Sequence, residues 1–170
     1  MNFNTKLNKK GQEVMGMPFG IIFAIFLIIV FVIVAFIAVS QFLDLGRASS
    51  VGLFYKELQE EVDKSMSSQS GESKPFKIDL PSKITYVCFA NLSARITGSQ
   101  EQYQMIHNYY RDYEANTFLL PPEHAEGMAW KMIKYINITK ITANSNPYCV
   151  EATEDLTFKK GFYDKGVLVE

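Results

Sequence analysis

The sequence predicts an α+β protein in which a long N-terminal helix, membrane-embedded in its first half, carries a small β-rich domain. Three observations predict it. Residues 17–42 run without a single charge, and residues 21–39 are solidly apolar. Val51, Phe54, Tyr55, Leu58, Val62 and Met66 then recur at helical spacing. After residues 65–74, rich in Ser with one Gly, the pattern changes to short β-branched and aromatic runs bounded by Pro, Gly and Asn.

The apolar run is long enough, at about 1.5 Å per helical residue, to cross a hydrocarbon core about 30 Å thick. It is too long for the hydrophobic region of a cleaved secretory signal. No small-residue cleavage pattern follows it at Ser40-Gln41-Phe42-Leu43-Asp44. Pro18, tolerated in a first turn, marks the expected helix start. The helix is expected to continue past the bilayer to residue 66, with Gly46 and Gly52 as weak points. Lys56, Glu57, Glu60, Glu61, Asp63 and Lys64 form its polar face, with Glu60 and Lys64 as an expected i,i+4 pair. The expected organisation is a cytoplasmic leader (1–17), a transmembrane helix (18–42), an amphipathic continuation (43–66) and a β-rich extracytoplasmic domain (67–170).

Within that last part, residues 76–80, 84–89, 116–120 and 148–150 read as strands, and residues 156–160 and 167–170 as a closing hairpin around the loop 161–166. Residues 132–141 alternate well enough for a strand, with a short helix as the alternative. Residues 100–114 read as a short helix or a loop.

Charge sets an orientation. The net charge is −1. Lys6, Lys9 and Lys10 against Glu13 make the leader cationic, so the remainder is acidic. Positive charge is retained on the cytoplasmic side, which predicts the N-terminus inside and the C-terminal domain outside the cell membrane. A mildly acidic exterior without a basic stripe excludes nucleic acid as an expected partner.

Lys9-Lys10-Gly11-Gln12 directly precedes the hydrophobic helix. This layout resembles the class III signal of archaeal type IV pilin-like proteins. The resemblance is carried by residues 6–42. It implies cleavage between Gly11 and Gln12 by a prepilin peptidase, retention of the apolar helix, and assembly of copies into a filament or other homo-oligomer. Two positions depart from the family pattern: Glu13 would be the second mature residue where an acidic fifth is common, and Pro18 would be the seventh. The simpler reading is that the lysines anchor an uncleaved span. The wider layout is also similar to that of small archaeal membrane proteins, a likeness that implies no activity.

Gly16, Gly20 and Ala24, with Ala35 and Ala38 further on, are small residues that let helices approach closely in lipid. The only two cysteines, Cys88 and Cys149, suit one disulfide in an oxidising compartment; two buried thiols are the alternative. Asn91-Leu92-Ser93 and Asn137-Ile138-Thr139 match the N-glycosylation pattern, Asn91 being the better candidate because Asn137 falls in an expected strand. His107 and His124 lie in no metal-ligand spacing, and Glu123-His124-Ala125-Glu126 reads as a solvated loop or helix start. No cofactor motif or catalytic signature is present. The expected function is a surface-exposed structural membrane protein, pilin-like or pseudopilin-like. The alternative is an uncleaved single-pass scaffold or binding protein.

Overall fold

The computed structural model describes residues 13–68, 71–72 and 75–170, with side chains from residue 19 onward except at 71–72. The fold is α+β. Helix α1 (Glu13–Ser67) is followed by short antiparallel strands and two smaller helices. Pro18 falls inside α1 rather than at its start, five residues beyond the first helical residue described. The chain divides into two compact units, Met1–Leu43 and Asp44–Glu170, and the second half of α1 belongs to the second.

The second unit is built around β3 (Tyr86–Phe89), β4 (Thr117–Leu120), β5 (Trp130–Lys131) and β6 (Tyr148–Glu151), which form one sheet in the order β5-β4-β3-β6. Both faces of this sheet are covered. Val87, Phe89, Leu119 and Val150 point to one side, where they meet Val51, Phe54, Tyr55, Leu58 and Val62 of α1. Cys88, Phe118 and Leu120 point to the other, where Ile106 of α2 (Gln100–Tyr110) packs on them. A strand buried on both faces needs no polar alternation, so β3 and β4 read as continuous apolar runs. Burying each large side chain of the α1 stripe stabilises the unit by about 1.5–3 kcal/mol. The stripe expected from spacing is thus the surface that joins helix to sheet.

Helix α2 settles residues 100–110 as helical. Ser99 accepts a hydrogen bond from the Gln102 N–H at 3.4 Å, capping the first turn, and Tyr103 and Ile106 supply the buried side. Two small sheets complete the unit. One contains β1 (Gly71–Glu72), β8 (Phe158–Lys160) and β9 (Leu168–Val169); the other pairs β2 (Phe76–Lys77) with β7 (Asp155–Leu156). The closing hairpin forms as expected, β8 pairing with β9 across Phe158↔Val169 and Lys159↔Leu168. Gly166 is required at its return: a Cβ there would lie 2.9 Å from the Tyr135 carbonyl oxygen.

Three expectations are corrected. The strand at 76–80 is cut to Phe76–Lys77; Pro81 lacks a donor and restricts Leu80 before it. Residues 132–141 do not form one strand. β5 ends at Lys131, a single bridge joins Ile136 to Val167, and α3 (Ile138–Ile141) follows. Two side-chain amides replace the missing ladder. Asn116 donates to the Ile133 carbonyl at 2.8 Å and accepts from the Ile133 N–H at 2.9 Å. Gln59 accepts from the Lys134 N–H at 2.8 Å and donates to its carbonyl at 3.4 Å. Finally, Lys64 pairs with Glu61 at 3.0 Å rather than with Glu60, whose partner is Lys56 at 3.9 Å.

Candidate functional site

In the first unit the notable feature is surface. Every large apolar side chain from Phe19 to Phe42 is exposed, and no part of the most apolar window is buried by the chain itself. Among the described residues, one helix is long and apolar enough to cross a membrane. A helix suits that setting because its backbone donors and acceptors are satisfied internally. Gly20 has open space where a Cβ would stand. Glycine in a helix interior costs about 1 kcal/mol against alanine, and no contact among the described residues offsets it here. Gly11 and Gln12, the expected cleavage pair, and the lysines before them lie outside the described residues.

In the second unit, Arg47 pairs with Asp44 and reaches Glu126 at 3.0 Å. Glu126 has a positive φ of 48° on the loop after the 3-10 turn Pro122–His124. This is where the Glu123-His124-Ala125-Glu126 segment goes: into a turn whose last carboxylate meets α1. His107 instead stacks on Tyr103, with ring centroids 5.5 Å apart. Among the described residues no three His, Cys, Asp or Glu side chains gather into a cation site.

Cys88 and Cys149 are joined by a disulfide across directly opposed positions of β3 and β6. The bridge lies on the α2 side of the central sheet, beside Phe118 and Ile106.

The two sequon asparagines sit in different settings. Asn91 lies in a turn after β3, and its Oδ1 accepts from the Ser93 N–H at 3.1 Å. Its backbone is held by Asn146, which is buried. The Asn146 Oδ1 accepts from the Asn91 N–H at 3.0 Å, and Nδ2 donates to the Asn91 carbonyl at 2.9 Å and the Arg95 carbonyl at 3.1 Å. Gly98 fits against this turn because a Cβ there would meet the Pro147 carbonyl oxygen at 2.5 Å. Asn137 is not in a strand. It caps α3, its Oδ1 accepting from the Lys140 N–H at 3.2 Å.

Beside Asn91 opens a groove of about 590 Å³ lined by Asn91, Ser93, Arg111, Tyr113, Met132 and Tyr135, among others. Tyr113, Met132 and Tyr135 are 48%, 45% and 55% exposed along it. Tyr135 holds a positive φ of 66°, an arrangement that costs a bulky residue about 1–3 kcal/mol. Phe162 and Tyr163, in contact with each other, project from the loop between β8 and β9.

Burial governs the titration behaviour of the tyrosines. Tyr55 is pushed far above the usual phenol range by burial first and by Tyr110 second, and among the described residues its hydroxyl has no hydrogen-bond partner. Burial likewise raises Tyr110 and Tyr148. Asp164, half-buried, is lowered chiefly by its hydrogen bond from Lys140, and further by one from the Gly161 N–H.

The sequence-level reading missed the buried amides Asn116 and Asn146, the Gln59 grip and the Arg47–Glu126 contact. The available signal was weak: an asparagine beside an apolar strand, and another before Pro147. No protein-family model, no curated protein and no solved structure matches this chain.

Proposed function

We propose that this chain is a surface-exposed structural membrane protein, a pilin-like or pseudopilin-like subunit that assembles through its N-terminal apolar helix. The observation that carries the proposal is the segment of α1 from Phe19 to Phe42, apolar on all sides and uncovered by the rest of the chain. Such a surface needs either lipid or copies of itself around it. Gly20, with open space at its Cβ position, suits close approach by a neighbouring helix. Lys9-Lys10-Gly11-Gln12 immediately before the helix supplies the signal that a prepilin peptidase reads in pilin-like proteins.

In this reading the N-terminus starts in the cytoplasm and the disulfide-bearing unit faces outward from the cell membrane. A disulfide is at home in an oxidising compartment, which supports that orientation. Cleavage after Gly11 leaves Gln12 first, the helices pack side by side, and the outward unit is displayed for contact. The role is structural rather than catalytic.

The test is the intact mass of the full-length chain extracted from membranes that contain an active archaeal prepilin peptidase. Loss of residues 1–11, abolished by Gly11→Leu, is the expected result. An intact leader, with a control substrate cleaved in the same membranes, overturns the pilin-like assignment in favour of an uncleaved single-pass anchor.

A further inference from the structure

We propose that Asn91 is an N-glycan acceptor and that the attached sugars lie in the groove beside it. The proposal rests on the outward orientation of the second unit. Three features of Asn91 converge. Its backbone N–H and carbonyl are both held by the buried Asn146, which fixes where the side chain leaves the fold. Its Oδ1 is held by the Ser93 N–H, which sets the amide plane. Its Nδ2, the atom that takes the sugar, has no hydrogen-bond partner among the described residues.

The bond formed is between Nδ2 and the anomeric carbon of an oligosaccharide carried on a lipid phosphate. The C–O bond to the carrier breaks, the lipid phosphate leaves with the bonding electrons, and the proton lost from Nδ2 ends on that released phosphate. The co-reactant is that lipid-linked oligosaccharide, and a membrane oligosaccharyltransferase performs the transfer.

The groove explains where the sugars go. Its volume lies within the range of about 300–1,000 Å³ typical of small-ligand sites, so it accommodates several sugar rings. Tyr113 and Tyr135 offer apolar faces for the C–H side of a sugar, and Arg111, Glu114 and Lys134 offer partners for its hydroxyls. Asn137 is the poorer acceptor. Its Oδ1 caps α3, its N–H donates to the Val167 carbonyl at 2.9 Å, and a Cβ at Gly166 would stand 3.3 Å from its own Cβ. A sequon in an irregular turn opens locally more readily than one inside a helix start.

The experiment expresses the full-length chain in a host whose secretory membranes N-glycosylate. A control sequon is placed on a short flexible linker after Glu170, and occupancy is read by peptide mass spectrometry. The expected result is a glycan at Asn91 that is lost in Asn91→Gln and in Ser93→Ala and kept in Asn137→Gln. The groove is read separately by peroxide oxidation of Met132, a half-exposed thioether on its wall. Its oxidation should be about threefold slower or more in the glycosylated chain than in Asn91→Gln, with Met105 and Met128 unchanged as references. A modified control beside a bare Asn91 overturns the acceptor assignment and leaves the orientation standing. A bare control and a bare Asn91 together, in membranes that modify a reference protein, overturn both. Equal oxidation of Met132 in the two forms overturns the seating of the sugars.

Discussion

Asn116→Leu isolates the amide that takes the place of a strand. Asn116 is 7% exposed, and its side chain makes three hydrogen bonds: two with the backbone of Ile133 and one accepted from the Thr117 hydroxyl at 3.1 Å. Leucine keeps similar bulk and removes both the donor and the acceptor. The N–H and carbonyl of Ile133, a fully buried residue, are then stranded. Each stranded group costs about 1–3 kcal/mol, so two cost about 2–6 kcal/mol. Added apolar burial returns about 1 kcal/mol. The net expectation is a loss of about 3 kcal/mol. Trp130, the one tryptophan, sits on β5 three residues before Ile133 and serves as the fluorescence probe. Urea unfolding of the full chain in mild detergent, followed by its fluorescence, is the assay. With an m-value of about 2 kcal/mol/M, the midpoint should fall by about 1.5 M at unchanged m. Asn116→Asp should be at least as severe at pH 7, because it sets a carboxylate against the Ile133 carbonyl, and should recover in part once acid protonates the new carboxyl into a donor. A midpoint shift in Asn116→Leu below about 0.3 M would refute the idea that this amide replaces the ladder.

Cys88→Ala with Cys149→Ala opens a covalent loop with a sequence separation of 61, a loss of about 4 kcal/mol in the chain-entropy model; thermal unfolding against the oxidised parent measures it, and an unchanged midpoint would contradict the estimate. Tyr55→Phe removes a buried hydroxyl that has no partner among the described residues and should raise stability by about 1 kcal/mol in the same urea assay. A loss of more than about 1 kcal/mol would mean that the hydroxyl has an unrecognised role. In the parent, the Tyr55 phenol should stay protonated through alkaline titration until the chain unfolds, as followed by absorbance at the tyrosinate band. Asp164 has a folded-state pKa below its ordinary value of 3.8, so its contribution is present above that value and is lost as pH falls through the lower folded one. Hydrogen exchange at the Gly161 and Asp164 amides should therefore accelerate only in strong acid, and Asp164→Asn should remove that dependence.

Much of the fold was legible because it is local or strictly periodic. The stripe Val51, Phe54, Tyr55, Leu58, Val62 and Met66 reads off a helical wheel, and each member packs where the spacing placed it. Strands β3, β4 and β6 announce themselves by β-branched and aromatic content. What sequence could not carry is non-local and polar. Ile133 and Lys134 lie in a stretch that alternates like a strand, yet their backbone partners are side chains 17 and 75 positions away. No periodicity encodes such a pairing. Asn137 was misread for the same reason, since the ladder it seemed to belong to ends at Lys131. The turn around Asn91 depends on Asn146, 55 positions away, and the groove beside it is assembled from several separate segments.

Apolar and polar contacts divide the work of fixing the second half of α1 to the central sheet. The stripe contributes most of the free energy, but burial is non-directional. A helix slid by one turn would bring Tyr55 toward the place of Val51 and Val62 toward that of Leu58, and much of the apolar area would stay covered. The polar contacts do not survive that slip. Gln59 meets both backbone groups of Lys134, and Arg47 meets Glu126, and a shift of about 5.4 Å breaks all of them. An exposed ion pair such as Arg47–Glu126 is worth only about 0–1 kcal/mol, so its value is positional rather than energetic. The register between the second half of α1 and the central sheet is therefore fixed by directional contacts as well as by burial. Gln59 and Arg47 contribute to it, as does Lys160, whose ammonium donates to the Met66 carbonyl.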